Sequence, residues 1–401
     1  MNAEPAPLVR CLSIHADYRC RDSGACCSSA WPIPIEVPQY EQLVAALADG
    51  SIAVVDSSAE AEAGAGSSRP QLPPRPPFAP HRGLPEGATA VLAHTDDGRC
   101  VFYEADAKRC RIHRVKGHAA LPMACQQFPR MCLLDPRGIQ ITLSHYCPTA
   151  ADLLFVDRPL AIVRHPLAFP PDFPYEGLDA RTAFPPLLRP GVLLDWHTLD
   201  EFETHAIRAL DAETRSVDAA LARLDAWAER LRTWRDSDGP LAETFARIVR
   251  VESETPVAGT ETPFTRGTPS INFETVFQLD AEVRAAVPPG SVIQSAPSHL
   301  LEAYRRWVAP AWPAFTRPLC RYLAAKLFAN WCWYQGHGLR SLIRSLHAAL
   351  AVLRLEAARQ THANGRMLEA RLLREAFRQT DLLLIHLCAQ ETLARGWAAA
   401  E

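Results

Sequence analysis

Apolar residues recur at three- and four-residue steps through most of the second half of this chain. Ile207, Leu210, Val217, Leu221, Leu224, Leu231 and Trp234 fall on one such stripe. They predict a long helix that opens at a capping box over Thr198–Glu201. A shorter helix is expected over 240–252, then a loop over 254–270. Further helices are expected at about 298–308, 318–334, 338–360 and 366–395, with Pro318 at the start of one and Gly365 just before another. The first 157 residues are patterned differently. PQYEQLVAALADG reads as a short amphipathic helix, with Pro38 in its first turn, Tyr40, Leu43, Val44 and Leu47 at helical spacing, and Gly50 as its stop. ATAVLAHT and GRCVFYEA read as short strands joined near Asp96-Asp97-Gly98. ALPMACQQF reads as a short helix from Pro122, which places Cys125 near a helix N-terminus, where a thiolate is favoured. GIQITLSHYC alternates, with Ile139, Ile141 and Leu143 on one face of a strand. Two stretches lack either period. Residues 51–90, with AEAEAGAGSSRPQLPPRPPFAPHRG, read as a flexible insertion. Residues 158–197 read as a proline-rich connector, extended and packed along a surface.

Composition changes this picture little. Hydrophobic residues at 48% and charged residues at 22% are those of an ordinary globular protein, and 401 residues suffice for two domains. A net charge of −3 gives no basic footprint, so nucleic acid and polybasic membrane binding are not expected. No apolar run is long enough to span a membrane, and the first residues carry no signal-peptide run, so a cytoplasmic location is expected.

The cysteines change it more. Nine of the twelve lie in the first 147 residues. Seven of those form a pattern: Cys20, the adjacent pair Cys26-Cys27, then Cys100, Cys110, Cys125 and Cys147. In a reducing compartment such a set is metal-binding or catalytic rather than disulfide-bonded. Thiolate selects zinc or iron–sulfur clusters over hard cations. One zinc wants four ligands, so seven suit two sites or one larger cluster. In an extended segment the sulfurs of Cys26 and Cys27 would point to opposite sides and serve different metals or faces. A division into four and three would leave one coordination position open. One zinc with four of the seven, the rest buried thiols, is the alternative. Cys11 and Cys132 lie off the pattern, and Cys320, Cys332 and Cys388 sit in apolar helical runs as core residues.

Other candidates carry blander readings beside their chemistry. His113, His118 and His145 fall among the cysteines, but a lone histidine is more often a hydrogen-bonded side chain than a ligand. Asp22, Glu104 and Asp106 read as solvated loop charges, and Arg130 as an anion contact or a structural ion pair. FANWCWYQGHGLRS gathers Trp331, Trp333, Tyr334, His337 and Arg340 as a packed corner between helices or a pocket for substrate or cofactor. The chain has no Walker-type loop, no G-x-G-x-x-G after a strand, no G-x-S-x-G and no H-E-x-x-H. The C-x3-C-x2-C triplet is absent as well.

YRCRDSGACC, CVFYEADAKRCRIH, ACQQFPR and HYCP together resemble the Cys-rich zinc- or iron-chelating family of the YkgJ type. The likeness covers about residues 18–155. The flagellin lysine N-methylases of the FliB type share this cluster. They are similar too in a stretch after the CC pair, here SSAWPIPIEVPQY, in a Cys-Pro leading into a helix, here CPTAADLLF, and in a helical C-terminal half. The resemblance implies a metal-ligand role for Cys20, Cys26, Cys27, Cys100, Cys110, Cys125 and Cys147. It departs at Ser23, where the family has a further cysteine, and at His113, where it has tyrosine. For an enzyme it implies an iron–sulfur cluster paired with S-adenosylmethionine.

The expected fold is therefore α+β. It comprises a small metal-stabilised mixed α/β domain over 1–157, the connector 158–197 and a mainly α-helical domain over 198–401. The expected function is binding of a metal cluster, a [4Fe–4S] cluster or zinc. The enzyme reading is an S-adenosylmethionine-dependent protein-lysine N-methyltransferase with a protein substrate such as flagellin. The competing class is a non-catalytic, zinc-stabilised interaction module.

Overall fold

The protein is α+β, with strands gathered in its N-terminal part and helices dominating its C-terminal part. The computed structural model describes residues 7–29, 31–55, 76–80, 84, 87–254, 272–287 and 299–399. Most of the expected insertion and nearly all of the expected loop over 254–270 lie outside the described residues. The chain divides into two compact units, one of residues 20–129, the other of residues 1–19 with 130–401.

The smaller unit holds a three-stranded antiparallel sheet in the order Pro34–Glu36, Ala88–Leu92, Phe78–Ala79. Phe78–Ala79 belongs to the stretch expected to be a flexible insertion, yet it pairs with Leu92 and Val91. The amphipathic helix is found over Val37–Ala48, with Leu43 and Ala46 on its buried side. The second expected strand is shorter than GRCVFYEA suggested. Only Tyr103–Glu104 is extended, in a hairpin with Arg109–Cys110. Val101 and Phe102, fully buried, are the apolar anchor of that segment. Short helices follow at Arg111–Lys116 and Met123–Gln127.

The larger unit is built on a five-stranded sheet in the order Leu178–Asp179, Arg130–Asp135, Gly138–Leu143, Val9–Leu12, Ile162–Arg164. Two of these strands come from the stretch expected to be a surface connector. Ile162–Arg164 pairs antiparallel with Val9–Leu12, and Leu178–Asp179 pairs parallel with Arg130–Asp135. Phe169, Leu188 and Leu194 in the same stretch are fully buried, so it supplies both ladder and core. Gly138–Leu143 is covered on both faces: Gln140 and Thr142 are buried as well as Ile139, Ile141 and Leu143.

The long helix expected after residue 198 is two helices, Trp196–Ala212 and Val217–Arg232. The break is local chemistry. Ser216 accepts the Ala219 N–H and caps the second helix, and Asp195, not Thr198, caps the first by accepting the Thr198 N–H at 2.8 Å. Helices then follow at Leu241–Glu254, Phe273–Ala285, His299–Ala303, Thr316–Leu327, Cys332–Gln335, Leu339–Asn364, Ala370–Asp381 and Gln390–Ala399. Leu339–Asn364 is buried on more than one side, from Leu342 through Ala349 and Leu353 to Ala357, and ends on Gly365 in the left-handed region. Tyr304–Val308 and Leu382–Leu387 wind as π-helix. No helix among the described residues is long and apolar enough to cross a membrane.

Candidate metal centre

Six of the seven expected ligands, Cys20, Cys26, Cys27, Cys100, Cys110 and Cys125, lie in the smaller unit. Gly24 opens their arrangement. Its φ of 70° turns the chain into the 3-10 turn Ala25–Cys27, closed by the Cys27 N–H donating to the Gly24 carbonyl at 3.0 Å. A β-carbon at Gly24 would meet the Tyr103 ring at 2.7 Å, so the backbone passes that ring without a side chain. The turn overturns the expectation that Cys26 and Cys27 point apart. Their sulfurs lie 3.8 Å from each other, because the segment is curled rather than extended.

Separate hydrogen bonds bring in the other thiols. The Cys100 N–H donates to the Cys27 carbonyl at 2.8 Å. Cys110 stands opposite Tyr103 in the hairpin and precedes helix Arg111–Lys116. Cys125 rides on helix Met123–Gln127, whose first N–H is accepted by the Glu36 carboxylate at 3.0 Å. Cys20 is exposed, and its sulfur accepts the Asp22 N–H at 3.4 Å.

The electrostatics are those of thiols crowded together. The Cys27 thiol is held far up, chiefly by hydrogen bonding with Cys110 and then Cys26, with burial adding to it. As donor it stabilises both neighbours as thiolates. Cys110 comes down to about 7 through that bond, against burial, and Cys26 is lowered the same way. Burial pushes Cys100 up to about 12. Burial also holds Cys125 well above the ordinary thiol range, reinforced by the charges of Cys26, Cys110 and Cys100. The expected dipole effect on Cys125 is therefore overturned: a five-residue helix gives little field, and burial beside other thiolates dominates. These mutual interactions place Cys26, Cys27, Cys100, Cys110 and Cys125 in one neighbourhood. Five sulfurs there cannot all ionise without a cation among them, and a soft cation inverts that balance. The donor set fits zinc or an iron–sulfur cluster in its chemistry. Among the described residues, no three His, Cys, Asp or Glu side chains already stand in the geometry that holds an ion.

The remaining candidates fall elsewhere. Cys147 belongs to the larger unit and is buried there, 3.6 Å from the Tyr18 hydroxyl. Cys11, Cys132, Cys320, Cys332 and Cys388 are buried there too, each pushed up to about 12 by burial, as core thiols should be. His113 and His118 are exposed and meet edge to face at 5.7 Å. Glu104 is engaged by Arg111 and Arg114 at 2.8 and 2.7 Å, and Asp22 and Asp106 are exposed. Arg130 lies over the rings of Phe169 and Phe173. The aromatic corner is packed: Trp333 is buried edge-on to Phe202, and the Trp331 indole donates to the Cys132 carbonyl at 3.0 Å.

Residues 19–148 match the model of a family described as "Putative zinc- or iron-chelating domain", with the pattern CxxCxxCC. The matched span begins one residue before Cys20 and ends one residue after Cys147, so it holds all seven thiols. It supports metal binding by this part of the chain. No curated protein and no solved structure matches the chain.

Proposed function

We propose that the thiols of the smaller unit hold an iron–sulfur cluster, and that Cys26, Cys27, Cys100, Cys110 and Cys125 supply most of its ligands. The observation that carries this is the convergence of five sulfurs from four separate segments, two of them already drawn toward thiolate. A [4Fe–4S] cluster takes one thiolate per iron, so four of these sulfurs would fill it and the fifth is left for an outer role, as it would be beside a single tetrahedral zinc. The family resemblance implies the same ligand role for Cys20, and a metal-ligand role for Cys147 of the larger unit. A reducing cytoplasm is the compartment in which these thiols would stay available. The test is anaerobic purification followed by iron, sulfide and zinc analysis. A brown protein absorbing broadly near about 400 nm is expected. A colourless protein with one zinc would replace this reading by the zinc-stabilised interaction module.

The enzyme reading, a protein-lysine N-methyltransferase acting on a substrate such as flagellin with S-adenosylmethionine, rests on the motif resemblance. A cluster iron left without a protein thiolate would be the place for that cosubstrate. S-adenosylmethionine added to the reduced cluster should then shift its electron paramagnetic resonance signal. A fully loaded cluster with an unmoved signal would remove the enzyme reading and leave the metal-binding one standing.

A further inference from the structure

The larger unit carries a buried polar group of its own. It centres on Asp381, fully buried at the end of helix Ala370–Asp381. Four donors converge on this carboxylate: the His145 backbone N–H at 2.6 Å, His145 Nδ1 at 3.1 Å, the Tyr322 hydroxyl at 2.7 Å and Lys326 Nζ at 2.7 Å. A carboxylate so surrounded is ionised, so His145 presents Nδ1 to it as an N–H. The imidazole lone pair is thereby fixed on Nε2. His145 is fully buried, and Nε2 has no hydrogen-bond partner among the described residues.

Beside it lies His15, also fully buried, with ring centroids 5.7 Å apart. Neither of its nitrogens has a partner among the described residues. Topology brings the two together. His15 ends the 3-10 turn that follows strand Val9–Leu12, and His145 lies two residues past strand Gly138–Leu143. Those strands are parallel neighbours, so both chains leave the sheet at the same edge. The helix behind is irregular at that place. Leu382–Leu387 winds as π-helix directly after Asp381, and its His386 meets Ser144 Oγ at 2.7 Å. Single π segments recur at functional sites.

Buried polar nitrogens are paired as a rule, and here three in neighbouring rings are not. We propose that His15 and His145 form a two-imidazole site for a divalent transition-metal ion, with Asp381 as the outer carboxylate that orients His145. A ring held by a carboxylate through one nitrogen and offering the other is the arrangement that metal-ligating histidines take. Imidazole suits zinc, iron, nickel or copper rather than magnesium or calcium. Two imidazoles on one tetrahedral ion, with bonds of about 2.1 Å, have centroids about 5 Å apart, close to the separation seen. Two protein ligands leave further coordination positions, which water or hydroxide carried in with the ion would fill. The proposal does not depend on what the thiols of the smaller unit bind.

Cobalt(II) titration of the full-length protein tests it. Imidazole-bound cobalt should give visible d–d absorption without the sulfur-to-cobalt charge transfer of thiol-bound cobalt, so the two sites are read separately. A paramagnetically shifted, exchangeable imidazole N–H resonance should appear, from the Nδ1 proton shared with Asp381. His15→Leu should bind this cobalt about tenfold or more weakly, with circular dichroism and thiol-bound metal unchanged. If His15→Leu misfolds, the shifted N–H is read in a variant with His113, His118, His299 and His362 changed to Ala, the two exposed histidine pairs: its persistence there supports the buried site, and its loss overturns the proposal. No imidazole-type cobalt binding, or equal binding by a folded His15→Leu, overturns the proposal and leaves a buried water between the rings.

Discussion

Glu36 accepts the backbone N–H of Met123 at 3.0 Å, which fastens the end of strand Pro34–Glu36 to the start of the helix that carries Cys125. A five-residue helix has little stability of its own, so this bond, with those of the Gln126 amide to the Ala119 and Leu121 carbonyls, helps set where the Cys125 sulfur stands. Glu36→Ala should lower unfolding stability by about 0.5–2 kcal/mol, the range for losing a helix-capping acceptor. Bound metal should pass to a chelator faster than from wild type. Unchanged release kinetics would show that Cys125 is held by other means.

Gly24 is the second positioning element. Its left-handed backbone is disfavoured for an L side chain by roughly 1–2 kcal/mol. An added β-carbon would also press on Tyr103. Gly24→Ala should therefore destabilise the turn Ala25–Cys27 and reduce metal content. Adding Tyr103→Ala should recover part of the loss, since it relieves the contact but not the backbone. Full metal content with unchanged stability in Gly24→Ala would refute this account of the turn.

The Cys pattern and the helix Val37–Ala48 were legible because each is written locally, one in residue identity and one in period. The five-stranded sheet was not. Its strands are two to six residues long, and its pairings join Val9 to Ile139 and Leu178 to Leu133, which no local pattern announces. Proline in 158–197 suggested a connector packed along a surface, but full burial of Phe169 and Leu188 there is decided by tertiary packing. The apolar stripe from Ile207 to Trp234 was real, and the Ser216 cap that divides it outweighed the continuity of period. His15, His145 and Asp381 were missed as a group because 366 residues separate the first from the last. The available signal was an acid continuing the apolar face of Leu373, Ala376 and Phe377.

Thiols that hold metal should separate from thiols that fill the core. Cys27→Ser and Cys125→Ser should lose most bound metal, since each removes a sulfur from the converging group. Cys320→Ser and Cys388→Ser should retain it and lose only packing, roughly 1–3 kcal/mol for a buried hydroxyl in place of a thiol. Metal analysis of the four purified variants decides the matter. Equal metal in all four would overturn the ligand assignment.

Acid should destabilise the larger unit through a buried histidine. His386 meets Ser144 in the interior of the larger unit, and burial pushes its pKa down to about 3. An unfolded histidine titrates near about 6.5. Between those values the unfolded chain binds a proton that the folded chain refuses, so acid favours unfolding. The contribution of neutral His386 is fully present above pH ~6.5 and is lost progressively as pH falls toward about 3. Its slope is at most about 1.4 kcal/mol per pH unit for one proton. Denaturant melts at about pH 7 and about pH 5 should therefore show wild type losing more stability than His386→Asn, which has no such proton to bind. Every other titrating side chain is common to both proteins, so the difference between the two losses reports His386. Equal losses would show that the folded protein accepts a proton on His386 as readily as the unfolded chain does.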